Sequence, residues 1–405
     1  MARRRERIKV VARTGIPRLF IEFIESERAG GFVLLFCTVA SIVMSNSGLK
    51  ASYAGLWQRS PDLSLLGIDL KHSLTGWIND GLMAVFFLLV GLEIKSELYA
   101  GELSRLKNAL LPVVAALGGM LVPALIHLSL NGRYVTRSGF GIPMATDIAF
   151  SLGALSLLGR RVPLSLKVVL TAIAIIDDLG AVLVIAFFYV HGFSSLHFAI
   201  AALVFGGLLA FNLLRIDNLF IYASAGIVMW FFMLKSGVHA AIAGVLLAFA
   251  IPFHKGEESS PSYRMQHFLD RPVPLLILPL FALANTCIMF SPGWYLDLID
   301  RNTVGIFAGL ILGKPLGIIV FSLIAVKMGM CRLPGGLRWP HIAGMGILGG
   351  IGFTMSIFIT NLAFLDNRLI QNSKIAILSA SAAAGVAGCL VLLGMGKPAA
   401  PRGLG

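Results

Sequence analysis

The chain reads as an all-α protein threaded through a membrane about twelve times, with two of its spans interrupted. Three observations predict this. Hydrophobic residues make up 57% of the 405 and charged residues only 13%, about half the charge of an ordinary soluble protein. Apolar stretches of about 20 residues, enough to cross a bilayer as a helix, recur along the whole sequence. Glycine and proline cluster inside two of those stretches.

The stretches begin near Gly30, Leu74, Ala109, Gly139, Val168, Leu196, Leu219, Val238, Pro272, Val304, Ile342 and Lys374. The second carries Asp80 near one end. The fourth, 139–158, holds Gly139, Gly141 and Pro143 just before Thr146 and Asp147. The fifth is the apolar run 168–190, with Asp177 and Asp178 side by side at its middle. Only Lys235-Ser236-Gly237 separates the seventh from the eighth. The tenth has Lys314 at its middle. The eleventh reads GMGILGGIGFTMSIF, with five glycines from Gly344 to Gly352. One membrane glycine serves close helix packing. A mid-span cluster predicts an interrupted helix, whose amide and carbonyl ends put partial charges inside the membrane.

An even number of spans puts both termini on one side. With the N-terminus inside, most of the 33 Lys and Arg fall in cytoplasmic segments, as the positive-inside rule requires. The net charge of +13 is therefore a topology signal and not a nucleic-acid signal. Residues 1–29 form a basic cytoplasmic arm suited to anionic lipid, without a cleavable secretory signal. Residues 396–405 are a Pro/Gly-rich cytoplasmic tail. The outside loop Ser47–Ser73 contains LSLLGIDLKHSL, whose alternation suggests a small hairpin. The inside loop His254–Arg271 is polar. Cys37, Cys287, Cys331 and Cys389 form no CxxC pair and point to neither a disulfide framework nor a zinc site.

A carboxylate at the bilayer centre costs about 2.5–3.5 kcal/mol on insertion, so the deep charges need a reason. Ion pairing that locks helices together accounts for one Asp and one Lys. Asp147, Asp177 and Asp178 against Lys314 leave an excess of carboxylate, which suits a bound cation or transferable protons. Adjacent helical residues point about 100° apart, so Asp177 and Asp178 cannot face one partner equally. Burial disfavours the ionised forms and pairing favours them, so such groups are suited to proton exchange. Asp80, nearer an interface, fits a solvated helix start or a pathway residue.

At these residues the chain resembles the bacterial NhaA-type sodium/proton antiporters. The most specific blocks are WINDGLMAVFFLLVGLEIKSEL (77–98), ATDIAFSLGALSLLGRRVPLSLK (145–167), AIAIIDDLGA (172–181), LKSGVHAAIAGV (234–245), LILPLFALANT (276–286), GKPLGI (313–318) and GGIGFTMSIFI (349–359). The inverted-repeat, broken-helix architecture known of that family comes with the resemblance. It implies twelve helices within 30–395, core repeats at about 109–190 and 304–395, and interface helices at about 30–98 and 195–291. The fourth and eleventh spans would be the crossing, interrupted pair. It implies that Asp178 and Asp147 bind the cation (Na+ or Li+), with Thr146 beside them and Asp177 paired to Lys314. Asp80, Glu93 and Glu97 match acidic positions along the cytoplasmic funnel and its neighbouring helix, and His239 and His267 match histidines of the pH response. The 47–73 hairpin matches a homodimer contact. Ser96 stands where the family has a basic residue and Gln266 where it has a glutamate, which puts the pH profile in doubt.

The activity so implied is electrogenic export of Na+ or Li+ in exchange for protons across a bacterial cytoplasmic membrane, serving sodium and pH homeostasis. No enzyme activity and no cofactor are expected. The partners would be the ions, the bilayer and a second copy, without nucleic acid. An oxygen-only ligand set suits such hard cations. An intramembrane aspartyl protease would want two carboxylates on different helices and a GxGD sequence, which is absent. GLILGKP around Lys314 is not a Walker motif. A single asymmetric site argues against a passive channel. A sodium-coupled solute symporter is the alternative.

Overall fold

The computed structural model describes residues 27–61, 71–101, 104, 106–190, 192–254, 259–290, 293–295 and 297–395. Among these residues it is all-helical, without a β-strand. Eight single helices are long and apolar enough to cross a membrane. Three further helix pairs qualify as bent units, and Ala241–Ala250 is a shorter apolar helix. The chain is a multi-pass membrane protein.

The interruptions fall where the glycines and prolines predict them. The fourth span is a 3-10 helix, Val135–Met144, then an extended step through Ala145, then an α-helix, Ile148–Leu157. Its halves are bent by 41°. Pro143 has no N–H to donate and ends the first half. The eleventh span breaks at Gly350–Gly352 between Trp339–Gly349 and Phe353–Ala363, with a bend of 45°. At Gly350 a Cβ would collide with the Leu310 carbonyl, so only glycine admits the tenth span there. The two breaks face each other, and Asp147 N donates to Ile351 O at 2.6 Å.

The fifth span is one helix, Leu164–Phe188. The third, Leu106–Asn131, and the tenth, Arg301–Lys327, lie against one another, closest where Gly118 and Gly317 meet backbone to backbone. The tenth carries a π-turn at Gly309–Gly313, directly before Lys314. Pro315 follows and cannot donate to the turn before it, so a wider turn relieves the helix at the point where Lys314 must aim inward. The second span, Leu74–Tyr99, packs along Ala241–Ala250.

Several loops and boundaries differ from the sequence reading. The Ser47–Ser73 segment begins with a helix, Lys50–Gln58, whose Tyr53 hydroxyl donates back to Leu283 O at 2.8 Å. The alternating stretch that suggested a hairpin lies largely in 62–70, outside the described residues, as do most of the 1–29 arm and the 396–405 tail. The polar 254–271 loop contains a helix, Pro261–Leu269, joined to the ninth span. Its signal was present: Pro261 follows Ser260 and fits a first helical position. The seventh span ends at Ser236 on Gly237, at φ +80°. The eighth resumes only at Ala241 and is ten residues long.

Candidate functional site

The deep charges meet where the two broken spans cross. Lys314 is fully buried, and its Nζ lies 2.7 Å from Asp177 Oδ2. The same ammonium donates to the Met144 carbonyl, at the C-terminal end of the 3-10 half-helix. One lysine thus compensates a carboxylate and a negative helix end together. Thr146 Oγ1 stands 2.7 Å from the same Asp177 oxygen and 3.0 Å from Gly349 O. A hydroxyl has one proton, so it serves one of the two at a time.

Asp147 is a double cap. Its Oδ1 accepts from Phe150 N at 3.0 Å, closing the start of Ile148–Leu157. Its Oδ2 accepts from Thr354 N at 3.0 Å and Thr354 Oγ1 at 2.5 Å, at the start of Phe353–Ala363. A carboxylate at two helix N-termini sits where both partial charges are positive. The sequence places Asp147 correctly but does not reveal Thr354, which holds it. Thr354→Val removes a hydrogen bond to a charged acceptor, a class worth about 1.5–3 kcal/mol. It should lower thermal stability in detergent accordingly, with Thr354→Ser close to wild type. An unchanged melting curve for Thr354→Val would show that the cap is not held by this bond.

Asp178 is the odd member. It is buried, and its Oδ1 has no hydrogen-bond partner among the described residues, nor has Asp177 Oδ1. Buried polar atoms are normally satisfied, so these oxygens fit a proton or a hard cation. Asp178 lies in the field of the Asp177, Asp147 and Glu93 carboxylates and of Lys314. Among the described residues no group of three or more His, Cys, Asp or Glu is gathered as a metal site.

The remaining sequence candidates lie outside this hydrogen-bonded cluster, with Glu93 close enough for its charge to act on Asp178. Glu93 is half-buried toward the other end of the second span, electrostatically coupled to Glu97 and Asp270. Asp270 was not foreseen; it stands 3.5 Å from His267 Nδ1 on an exposed turn. His267 also stacks on Tyr263, with ring centroids 6.1 Å apart. Asp80 and His239, named separately from the sequence, form a pair at 3.4 Å at the opposite end of the second and eighth spans. Lys95 was missed altogether. It is buried, and its Nζ donates to Phe249 O at 2.9 Å and to Ile251 O, capping Ala241–Ala250. The visible signal was one lysine between two glutamates in an apolar helix.

Two interrupted helices crossing at buried carboxylates and one lysine define a class, the ion-coupled secondary transporters of the membrane. Comparison then narrows the class. The family described as Na+/H+ antiporter 1 matches residues 21–392, and the chain belongs to that family. It is 53% identical over 377 residues to Na(+)/H(+) antiporter NhaA 1 of Flavobacterium johnsoniae, covering 93% of this chain and 97% of that protein. It is 55% identical over 383 residues to the NhaA antiporter of Dechloromonas aromatica, covering 94% and 96%. It is 45% identical over 370 residues to that of Escherichia coli O1:K1, covering 90% and 95%.

Proposed function

We infer that the chain is a sodium/proton antiporter whose exchange centre is Asp178. The observation that carries this is the division of labour in the adjacent pair. Asp177 is engaged at Oδ2 by Lys314 and Thr146 and leaves only its Oδ1 unpartnered, while Asp178 stands outside that ion pair with its own Oδ1 unpartnered in a field of other carboxylates. A group in that position is charged only with a counterion or neutral only with a proton, so the two cargoes compete for it.

In this reading Na+ or Li+ enters from the cytoplasm past Glu97 and Glu93, displaces protons, and binds Asp178 with help from Asp147. The two repeats, about 109–190 and 304–395, form a core that rocks against the other helices. The site then faces outward toward the Asp80–His239 pair, where protons displace the cation. When more protons enter than sodium leaves, the membrane potential adds about 2.3 kcal/mol per charge per 100 mV and drives export without ATP. His267 and Asp270 lie at the cytoplasmic mouth and serve the pH response, altered from relatives by Ser96 and Gln266. The setting is a bacterial cytoplasmic membrane with both termini inside, and a homodimer through the 47–73 segment. The sodium-coupled solute symporter has no support from the family.

In everted vesicles holding a preformed proton gradient, adding sodium or lithium should collapse the gradient with no organic solute present. A gradient that stands unchanged at every pH from about 6 to 9 would overturn the reading.

A further inference from the structure

Away from the carboxylates, three asparagines from three different spans join side chain to side chain. Asn285, at the end of the ninth span, is buried and fully satisfied. Its Nδ2 donates to Asn79 Oδ1 at 2.8 Å and to Phe281 O at 3.0 Å. Its Oδ1 accepts from Asn79 Nδ2 at 3.3 Å and from Asn361 Nδ2 at 2.7 Å. An amide offers two donors and two acceptor sites, and all four are used. Such a cluster has no lone pair to spare at Asn285 for a passing cation, so it is built to hold helices and not to bind cargo.

The helices it holds belong to different parts of the machine. Asn79 and Asn285 lie on the second and ninth spans, which stay with the interface helices. Asn361 lies on the second half of the eleventh, which moves with the core. The bond from Asn361 to Asn285 therefore crosses the sliding boundary. One turn earlier on the same helix, fully buried Phe358 is clasped from that other side. His239 meets it edge-on at 5.0 Å, and Phe87 and Phe281 lie 5.5 and 6.3 Å away, between ring centroids. A further bond, Gln371 Nε2 to Cys287 O at 3.3 Å, joins the twelfth span to the residues after the ninth. All of these contacts sit at the Asp80–His239 end.

We propose that Asn361 is the positioning residue of an outer latch: its bond to the Asn79–Asn285 amide pair holds the outward path closed while the centre faces the cytoplasm. The latch rests on the division into core and interface helices made above. It must break each time the site turns outward, so its strength sets how much of the protein stands outward-open. One ordinary hydrogen bond sustains a population ratio of about fivefold.

The native Cys287 thiol, two residues from Asn285, serves as a reporter. In the full chain purified in detergent, Asn361→Ala should raise the rate of Cys287 alkylation by a maleimide about fivefold. The rate at Cys389 should not change, and Asn79→Ala, which leaves the crossing bond in place, should not reproduce the rise. In right-side-out vesicles the apparent KM for outside sodium should fall by a similar factor, because affinity scales with the fraction competent to bind, with the maximal rate held within about twofold. Equal Cys287 rates in wild type and Asn361→Ala would overturn the latch, as would an equal rise in Asn79→Ala. Where Asn361→Ala does not purify, Asn361→Ser replaces it in the same comparison. The labelling arm contains no transport step, so a chain without antiport refutes the proposed exchange while labelling still decides the latch.

Discussion

Asp178→Asn should reduce sodium-dependent collapse of the proton gradient to the level of vesicles without the protein. The substitution keeps shape and removes charge. A carboxylate about 2.4 Å from a monovalent cation, at an effective dielectric constant of about 20, is worth about 7 kcal/mol before solvation costs. Losing even a third of that weakens binding about 50-fold, and the amide can no longer carry the competing proton. The fold should survive, because Asp178 Oδ1 has no hydrogen-bond partner to lose and its nearest charged company includes three carboxylates. The check is paired: proton-gradient collapse in everted vesicles, and a melting curve in detergent. Normal transport by a well-folded Asp178→Asn would place the exchange centre elsewhere.

Lys314→Ala should be the most destabilising single change in the centre. The ammonium holds Asp177 Oδ2 at 2.7 Å and the Met144 carbonyl, and both charged partners are fully buried. Removing one partner of a buried pair costs about 3–5 kcal/mol, because the other charge is left uncompensated. The double replacement Asp177→Asn with Lys314→Gln removes both charges and should recover at least about half of the loss. Thermal unfolding of the three proteins in detergent tests this. A Lys314→Ala protein that melts with wild type would remove the brace. Transport by the double variant bears on the same pair. If it still exchanges sodium for protons, the pair is structural; if it is stable but inert, the pair carries a proton.

Much of this was legible in one sequence. Asp177 and Asp178 announced themselves by depth alone, since carboxylates at the centre of an apolar span are costly and rare. The 3.6-residue period required that they diverge, and in the structure Asp177 takes the lysine while Asp178 does not. The glycines around Gly350 and the proline at 143 announced the breaks, because each removes a helix-forming contribution at mid-membrane. What escaped were groups whose partners lie far along the chain. Thr354 is an unremarkable threonine until the eleventh span's new N-terminus meets Asp147. Lys95 looks like an ordinary cytoplasmic lysine until the short eighth helix ends against it. Asn79, Asn285 and Asn361 are each a common helix-end residue, separated by up to 282 positions in sequence.

The sequence by itself determined the class of fold, the places where helices must break and the carboxylates that need a counterion. These follow from local quantities: apolar length, backbone freedom and the cost of charge in hydrocarbon. Only the tertiary structure decided which oxygen meets which donor. Helical periodicity fixes the direction of a side chain around its own axis and says nothing of the helix opposite. The division of the Asp177–Asp178 pair into a member held by Lys314 and one left outside that ion pair therefore came from the packing of the fourth, tenth and eleventh spans around the fifth.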